Sequence, residues 1–148
     1  MYEVFGIFDS VEEINACAAG LLAEGDLDNL RLLAKENGIP EAMVEGYVEG
    51  TLGNLTDIEN AAIGRLQVEM ECEKNLAGPA TEIVGYLSMK CYEKPLLATG
   101  IRKKDKTLKK CTDKIVSEAR KRKESGSNVV AISDIEVFKM AEAYYLED

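Results

Sequence analysis

Rows of like charge are the residues in this chain whose types and spacing could do chemistry, and the chemistry they suit is electrostatic recognition. Glu41, Glu45 and Glu49 recur every four residues, as do Glu69 and Glu73, so on a helix each set shares one face. Lys106, Lys110 and Lys114 keep the same spacing, with Lys103 before them and Lys121 beyond. An acidic face is repelled by nucleic-acid phosphates and suits a basic groove on a protein, where complementarity speeds encounter and makes it salt-sensitive. A basic face suits a phosphate backbone, although few aromatic residues lie among these lysines to stack bases. Either row could also be a plain solvated face, and the basic one could answer the acidic half inside the fold or across a homodimer.

Catalytic chemistry is not expected. The chain has no histidine, which removes the commonest general acid or base. It has no nucleophile elbow, no phosphate-cradling glycine loop with lysine, and no cluster at metal-ligand spacing. Carboxylates alone can hydrolyse glycosides, but nothing marks a working pair here from surface acid. Cys17, Cys72, Cys91 and Cys111 are scattered, which fits buried small hydrophobes better than zinc ligands or disulfide partners. The expectation is a protein without catalysis, metal or cofactor.

Composition sets the frame. A chain of 148 residues with 46% hydrophobic and 30% charged content can bury a core of its own. No apolar run approaches the roughly 18 residues of a membrane span. Met1 to Ser10 carry Glu3 and Asp9 without Lys or Arg, unlike a secretory leader, so a cytoplasmic, membrane-free protein is expected. Charge is divided unevenly along the chain. Residues 1 to 80 hold 16 acidic and 4 basic residues, whereas residues 101 to 123 hold 11 basic and 3 acidic.

Helices must position these rows. Ser10 with Glu13, Thr56 with Glu59 and Ser133 with Glu136 have capping-box spacing, and Pro40 suits a first helical position. Gly25, Gly38, Gly50 and Gly78-Pro79 stand where helices should stop. These signals predict helices at about 11 to 24, 27 to 37, 40 to 49, 57 to 75, 80 to 93, 107 to 124 and 134 to 146. Ile14, Ala18, Leu21 and Leu22 make one apolar stripe, Ile58, Ala62, Leu66 and Met70 another, and Leu108, Cys111, Ile115 and Ala119 a third opposite the lysines. Val4 to Phe8 and Val129 to Ile132 could pair as a two-stranded ribbon. The fold class predicted is all-α, a compact bundle of about six to seven short helices, with an acidic region at 1–78 and a second region at 79–148 packed as one unit.

Two further elements bear on recognition. Leu33 to Pro40 followed by Val44 has helix-turn-helix spacing, but its second helix would carry only glutamates, which a duplex repels. Tyr144 and Tyr145 are adjacent and point about 100° apart on a helix, so one should pack inward with Phe138 and Ala141 and the other reach the surface. Tyr144 is therefore a candidate partner contact.

The second half also resembles a known family. Lys109-Lys110-Cys111, a polar loop, Val130-Ala131-Ile132-Ser133-Asp134, Glu136-Val137, Ala141 and the end Tyr144-Tyr145-Leu146-Glu147-Asp148 together resemble the C-terminal signature of the PcfK-like family. Its members are small proteins of conjugative plasmids, integrative elements and phages in Gram-positive bacteria, and one branch comprises anti-CRISPR inhibitors of the type II CRISPR effector nuclease. Phe8 to Asn15 and Asn29 to Ile39 are similar to segments that precede the domain in that branch. The resemblance implies a non-enzymatic inhibitor that binds the nuclease or its guide complex and blocks DNA loading or nuclease-domain movement. An effector that holds nucleic acid in positively charged channels is a fitting target for an acidic helical protein. The alternative is a conjugation accessory protein that binds DNA or a transfer protein through the basic helix, and a third class is a helical oligomerising scaffold.

Overall fold

Side-chain caps and glycine stops divide the chain into eight helices among the described residues, 1–124 and 133–147, of this computed structural model. They are α1 (Val11–Ala23), α2 (Leu27–Glu36), α3 (Glu41–Glu49), α4 (Ile58–Cys72), α5 (Ala80–Cys91), α6 (Pro95–Arg102), α7 (Leu108–Glu124) and α8 (Asp134–Leu146). The all-α class is as expected, and the count exceeds the predicted six to seven by α6. That helix has eight residues and no side-chain cap, with Pro95 in its first turn as its one start signal.

The caps differ in detail from the sequence pattern. Ser10 Oγ accepts from Glu13 N at 3.2 Å and Ser133 Oγ from Glu136 N at 3.3 Å. Asp57, not Thr56, caps α4, accepting from Asn60 N at 2.8 Å. Thr56 is instead buried, and its backbone exchanges hydrogen bonds with the Asn15 side chain at 3.0 and 3.1 Å, which ties α1 to the start of α4. Pro40 takes the N-cap position itself.

Two apolar clusters share α4. Ile14, Leu30, Leu33, Val44 and Leu55 bury against Ala61. Ala62 and Leu66 turn the other way and join Ile83, Leu87, Leu97, Ile101, Leu108, Cys111, Ala141 and Tyr145. Neighbouring residues on a helix point about 100° apart, so one helix serves both clusters. Each fully buried leucine stabilises the fold by roughly 1.5–3 kcal/mol. Close approach is secured at Gly38, with φ +66°, which lies so near Gly64 of α4 that a Cβ on either would collide with the other's backbone or its neighbour's.

The predicted stripes hold at their centres and thin at their ends. Ile14, Ala18, Ala62, Leu66, Leu108, Cys111 and Ile115 are buried, while Leu21, Leu22, Ile58, Met70 and Ala119 are half-buried. Cys91 and Cys111 are buried thiols as expected, whereas Cys17 is half-buried and Cys72 is exposed at the end of α4. Val4 to Phe8 form no strand. Their proposed ribbon partner, Val129 to Ile132, and the motif residues Val130 to Ile132 and Asp148 lie outside the described residues. Among those described, no helix is long and apolar enough to cross a membrane.

Candidate functional site

The charged rows meet different fates, beginning with the acids. On α3, Glu41, Glu45 and Glu49 are exposed. Glu41 pairs with Arg31 at 3.3 Å, both side chains about half exposed, while Glu45 and Glu49 have no partner among the described residues. No Lys or Arg occurs between Lys35 and Arg65, so α3 carries no cation of its own. Val48 and Leu52 are exposed beside it.

The second acidic row is not a surface row. Glu69 is only 6% exposed and receives Arg65 Nε at 3.3 Å on one oxygen and Leu108 N at 3.1 Å on the other. It therefore serves as an internal carboxylate at the start of α7, where negative charge complements the helix dipole. Burial pushes its carboxyl above the ordinary range, against the opposing pull of Arg65. Glu73, one turn later, is half-exposed at the C-cap of α4 and accepts from Asn75 N at 3.3 Å.

Arg65 is the centre of this junction, with no measurable exposure. Its guanidinium donates to the carbonyls of Lys103 at 2.6 Å, Lys106 at 2.8 Å and Lys104 at 3.4 Å. A single α4 side chain thus holds the whole turn between α6 and α7. Planar guanidinium, with five fixed donors, suits this task in a way that an ammonium does not.

The basic row is largely answered from within. Lys106 is buried; its Nζ lies 4.5 Å from the centre of the Tyr144 ring and donates to Tyr144 O at 2.8 Å. The expectation that Lys106 stands on a wet face is thereby corrected. Lys110 is exposed but donates to Asp105 O at 3.1 Å, and Lys114 pairs with Glu147 at 2.9 Å. Lys103 is half-buried. Lys109 pairs with Asp113 at 2.9 Å and Arg122 with Glu136 at 2.8 Å. Arg120 and Lys121 are exposed, with no partner among the described residues.

Tyr144 and Tyr145 are both buried, contrary to the expected split. Tyr144 lies under Lys106, and its hydroxyl accepts from Thr107 N at 3.0 Å. Tyr145 fits over α6 where Gly100 leaves no Cβ to meet its backbone. The adjacent rings, 4.9 Å apart and edge to face, leave α8 in different directions, but α6 and α7 cover both. Tyr144 is thus an internal anchor rather than a surface contact.

Arg65, Arg102 and Tyr2 are functional-looking residues that charge spacing overlooked. Arg65 did carry a signal, because it is a lone cation inside an apolar stripe, four residues before a glutamate. Nothing local marked Arg102, which is 2% exposed at the end of α6. The buried thiols offer no reactivity, since burial pushes Cys91 to about 11 and Cys111 to about 12. Among the described residues no group of three or more His, Cys, Asp or Glu could hold a metal ion.

The Lys106–Tyr144 contact, the α7 start and α8 all fall in one segment. Residues 79–148 match the family model described as PcfK-like protein. No curated protein and no solved structure matches the chain. The matched segment supplies α5 to α8. Helix α4 lies before it, yet Ala62 and Leu66 fill its core and Arg65 and Glu69 organise the start of its basic helix.

Proposed function

We propose that this chain is a non-catalytic anti-CRISPR protein that binds a type II RNA-guided DNA nuclease through the exposed acids of α3. The reading is carried by one contrast: Glu45 and Glu49 are exposed without partners among the described residues, in a stretch free of cations, while most of the basic row is engaged inside the molecule. Charge left unanswered on a surface is available for a partner of opposite sign. The guide–target channel of such a nuclease is positively charged, which makes it the class of groove this face fits. The resemblance of residues 8–15 and 29–39 to the inhibitor branch supports the same reading, while the family match at residues 79–148 is common to this reading and the alternative. The test is a cleavage assay with nuclease, guide RNA and target DNA, adding the protein before or after guide and target. Inhibition that disappears in Glu45→Lys/Glu49→Lys is expected. Full cleavage at molar excess of the wild-type protein removes the proposal.

A second reading, a PcfK-like conjugation accessory, is favoured by Arg120 and Lys121 on α7 within the matched segment, exposed and without a partner among the described residues. It requires salt-dependent DNA binding that weakens in Arg120→Ala/Lys121→Ala.

A further inference from the structure

Three of the most exposed large apolar side chains among the described residues border one turn. Leu96 is 77% exposed, Tyr92 64% and Met89 59%. Met89 and Tyr92 stand one turn apart at the C-terminal end of α5, and Leu96 is in the first turn of α6. Tyr92 is pinned, because its hydroxyl donates to Asn60 Oδ1 in the first turn of α4 at 3.3 Å. A single exposed leucine is ordinary, whereas a cluster of this kind marks a contact surface. Tyr and Met are enriched in such surfaces, and a ring already held in place loses little freedom on binding.

Charge and shape decide what can cover it. Residues 80–100 carry Glu82 and Glu93 against Lys90 and Lys94, net 2 − 2 = 0, in a chain whose net charge is −9. Lys90 pairs with Glu93 at 3.0 Å and Lys94 with Glu142 at 2.8 Å, so these charges are answered within the molecule. A phosphate backbone or a basic groove gains nothing from a neutral face. Two copies of an acidic protein, in contrast, repel each other over most of their surface and can meet where charge cancels. The shape of α5 suits such a meeting. Gly85 is exposed, four residues before Met89 on the same side of the helix, and a Cβ there would meet nothing within 4 Å. Glycine inside a helix is destabilising relative to alanine, and nothing in this chain comes close enough to Gly85 to require it.

We propose that the α5 face of Gly85, Met89 and Tyr92, with Leu96 beside it, is a self-complementary surface that binds the same face of a second copy of this chain. The two α5 helices run antiparallel about a two-fold axis level with Leu87, so Met89 of each copy fills the space over Gly85 of the other. Such a contact is isologous and closes at two copies. In this register Glu82, which has no partner among the described residues, comes level with Tyr92 of the second copy rather than with its Glu82. Helices α3 and α5 belong to different apolar clusters, so this surface is independent of the α3 acids and of what they bind.

The test is sedimentation equilibrium on the full chain from about 1 μM to about 1 mM, the range in which an interface built on a few anchors associates. The wild type should pass from the 16.2 kDa monomer to twice that mass. Added salt should strengthen the association, by screening the acidic surfaces of the two copies from one another. Gly85→Gln leaves the net charge unchanged, is a better helix former and occupies the space that Met89 needs. It should weaken dimerisation about tenfold or more while raising the urea midpoint of the monomer. Met89→Ser/Tyr92→Ser should weaken dimerisation at least as much. A monomer at every concentration overturns the proposal. So does a dimer that both variants leave intact, because the contact then lies elsewhere, and so does one that salt dissociates, because its contacts are then ion pairs.

Discussion

The acidic row of α3 and the basic row running into α7 look alike as patterns, each a set of like charges at helical spacing, and their fates in the fold are opposite. Glu45 and Glu49 remain exposed, with no partner among the described residues. Lys106 is buried over an aromatic ring, and Lys110 and Lys114 are answered by a carbonyl and a carboxylate. The difference lies in what packs alongside. Helix α3 is short and packs through Val44 and Tyr47, and of its three polar-face glutamates Arg31 answers only Glu41 among the described residues. Helix α7 starts against α4 and runs beside α8, whose C-terminal end brings both Tyr144 and Glu147 to it. A charged row is therefore evidence of recognition only where no second element covers it.

Substitutions can break this comparison, and the largest effect is expected at the buried junction. Arg65→Met strands Glu69 and releases three carbonyls, so it should cost about 3–5 kcal/mol in urea denaturation, the range for breaking a buried pair. A negligible change would mean that the junction does not hold α7. Lys106→Met leaves the Tyr144 carbonyl without its donor and should cost about 1–3 kcal/mol. An unchanged urea midpoint would return Lys106 to the wet face that its spacing suggested.

The pH dependence of stability sharpens the same contrast. Burial holds the Glu69 carboxyl above its ordinary value in the folded state. The folded protein therefore binds this proton more tightly than the unfolded chain does, and the stability linked to it falls as pH rises from the ordinary carboxylate value, about 4.3, through the raised one. Glu69→Gln should lack that component when urea midpoints of the two proteins are compared across pH. An identical slope in both would show that Glu69 does not titrate differently on folding.

The surface acids should behave otherwise. Glu45→Lys/Glu49→Lys is expected to change stability by no more than about 0.5 kcal/mol, as for exposed positions generally, while abolishing nuclease inhibition. A large drop in urea midpoint would place these residues in the fold rather than on a binding face. Smallest of all, Lys114→Ala removes a solvent-exposed pair with Glu147 and should leave the melting temperature unchanged. A clear decrease would mean that this pair helps hold α8 against α7.

Much of the architecture was legible because its signals are local. Ser10, Ser133 and the glycines at 25, 38 and 50 marked helix ends, and all three glycines adopt positive φ, whereas α4 stops at Cys72, well before Gly78. Helix α6 escaped because it is short, has no capping side chain and carries Gly100 near its end. That glycine has meaning only beside Tyr145, 45 residues further along the chain. Within the candidate site, the exposure of Glu45 and Glu49 followed from helical spacing around Val44 and Tyr47. The burial of Glu69, Lys106 and Tyr144 did not, because each depends on a contact with a distant element.

By itself the amino-acid sequence determined seven of the eight described helices, the apolar stripes of α1, α4 and α7 and the imbalance of charge between the two halves, since caps, glycine stops and periodicity act over a few residues. Only the tertiary structure decided which charges face water. A Coulombic partner, a covering ring or a carbonyl is supplied by whichever helix packs alongside, and that choice joins residues as far apart as Arg65 and Lys106 or Lys106 and Tyr144.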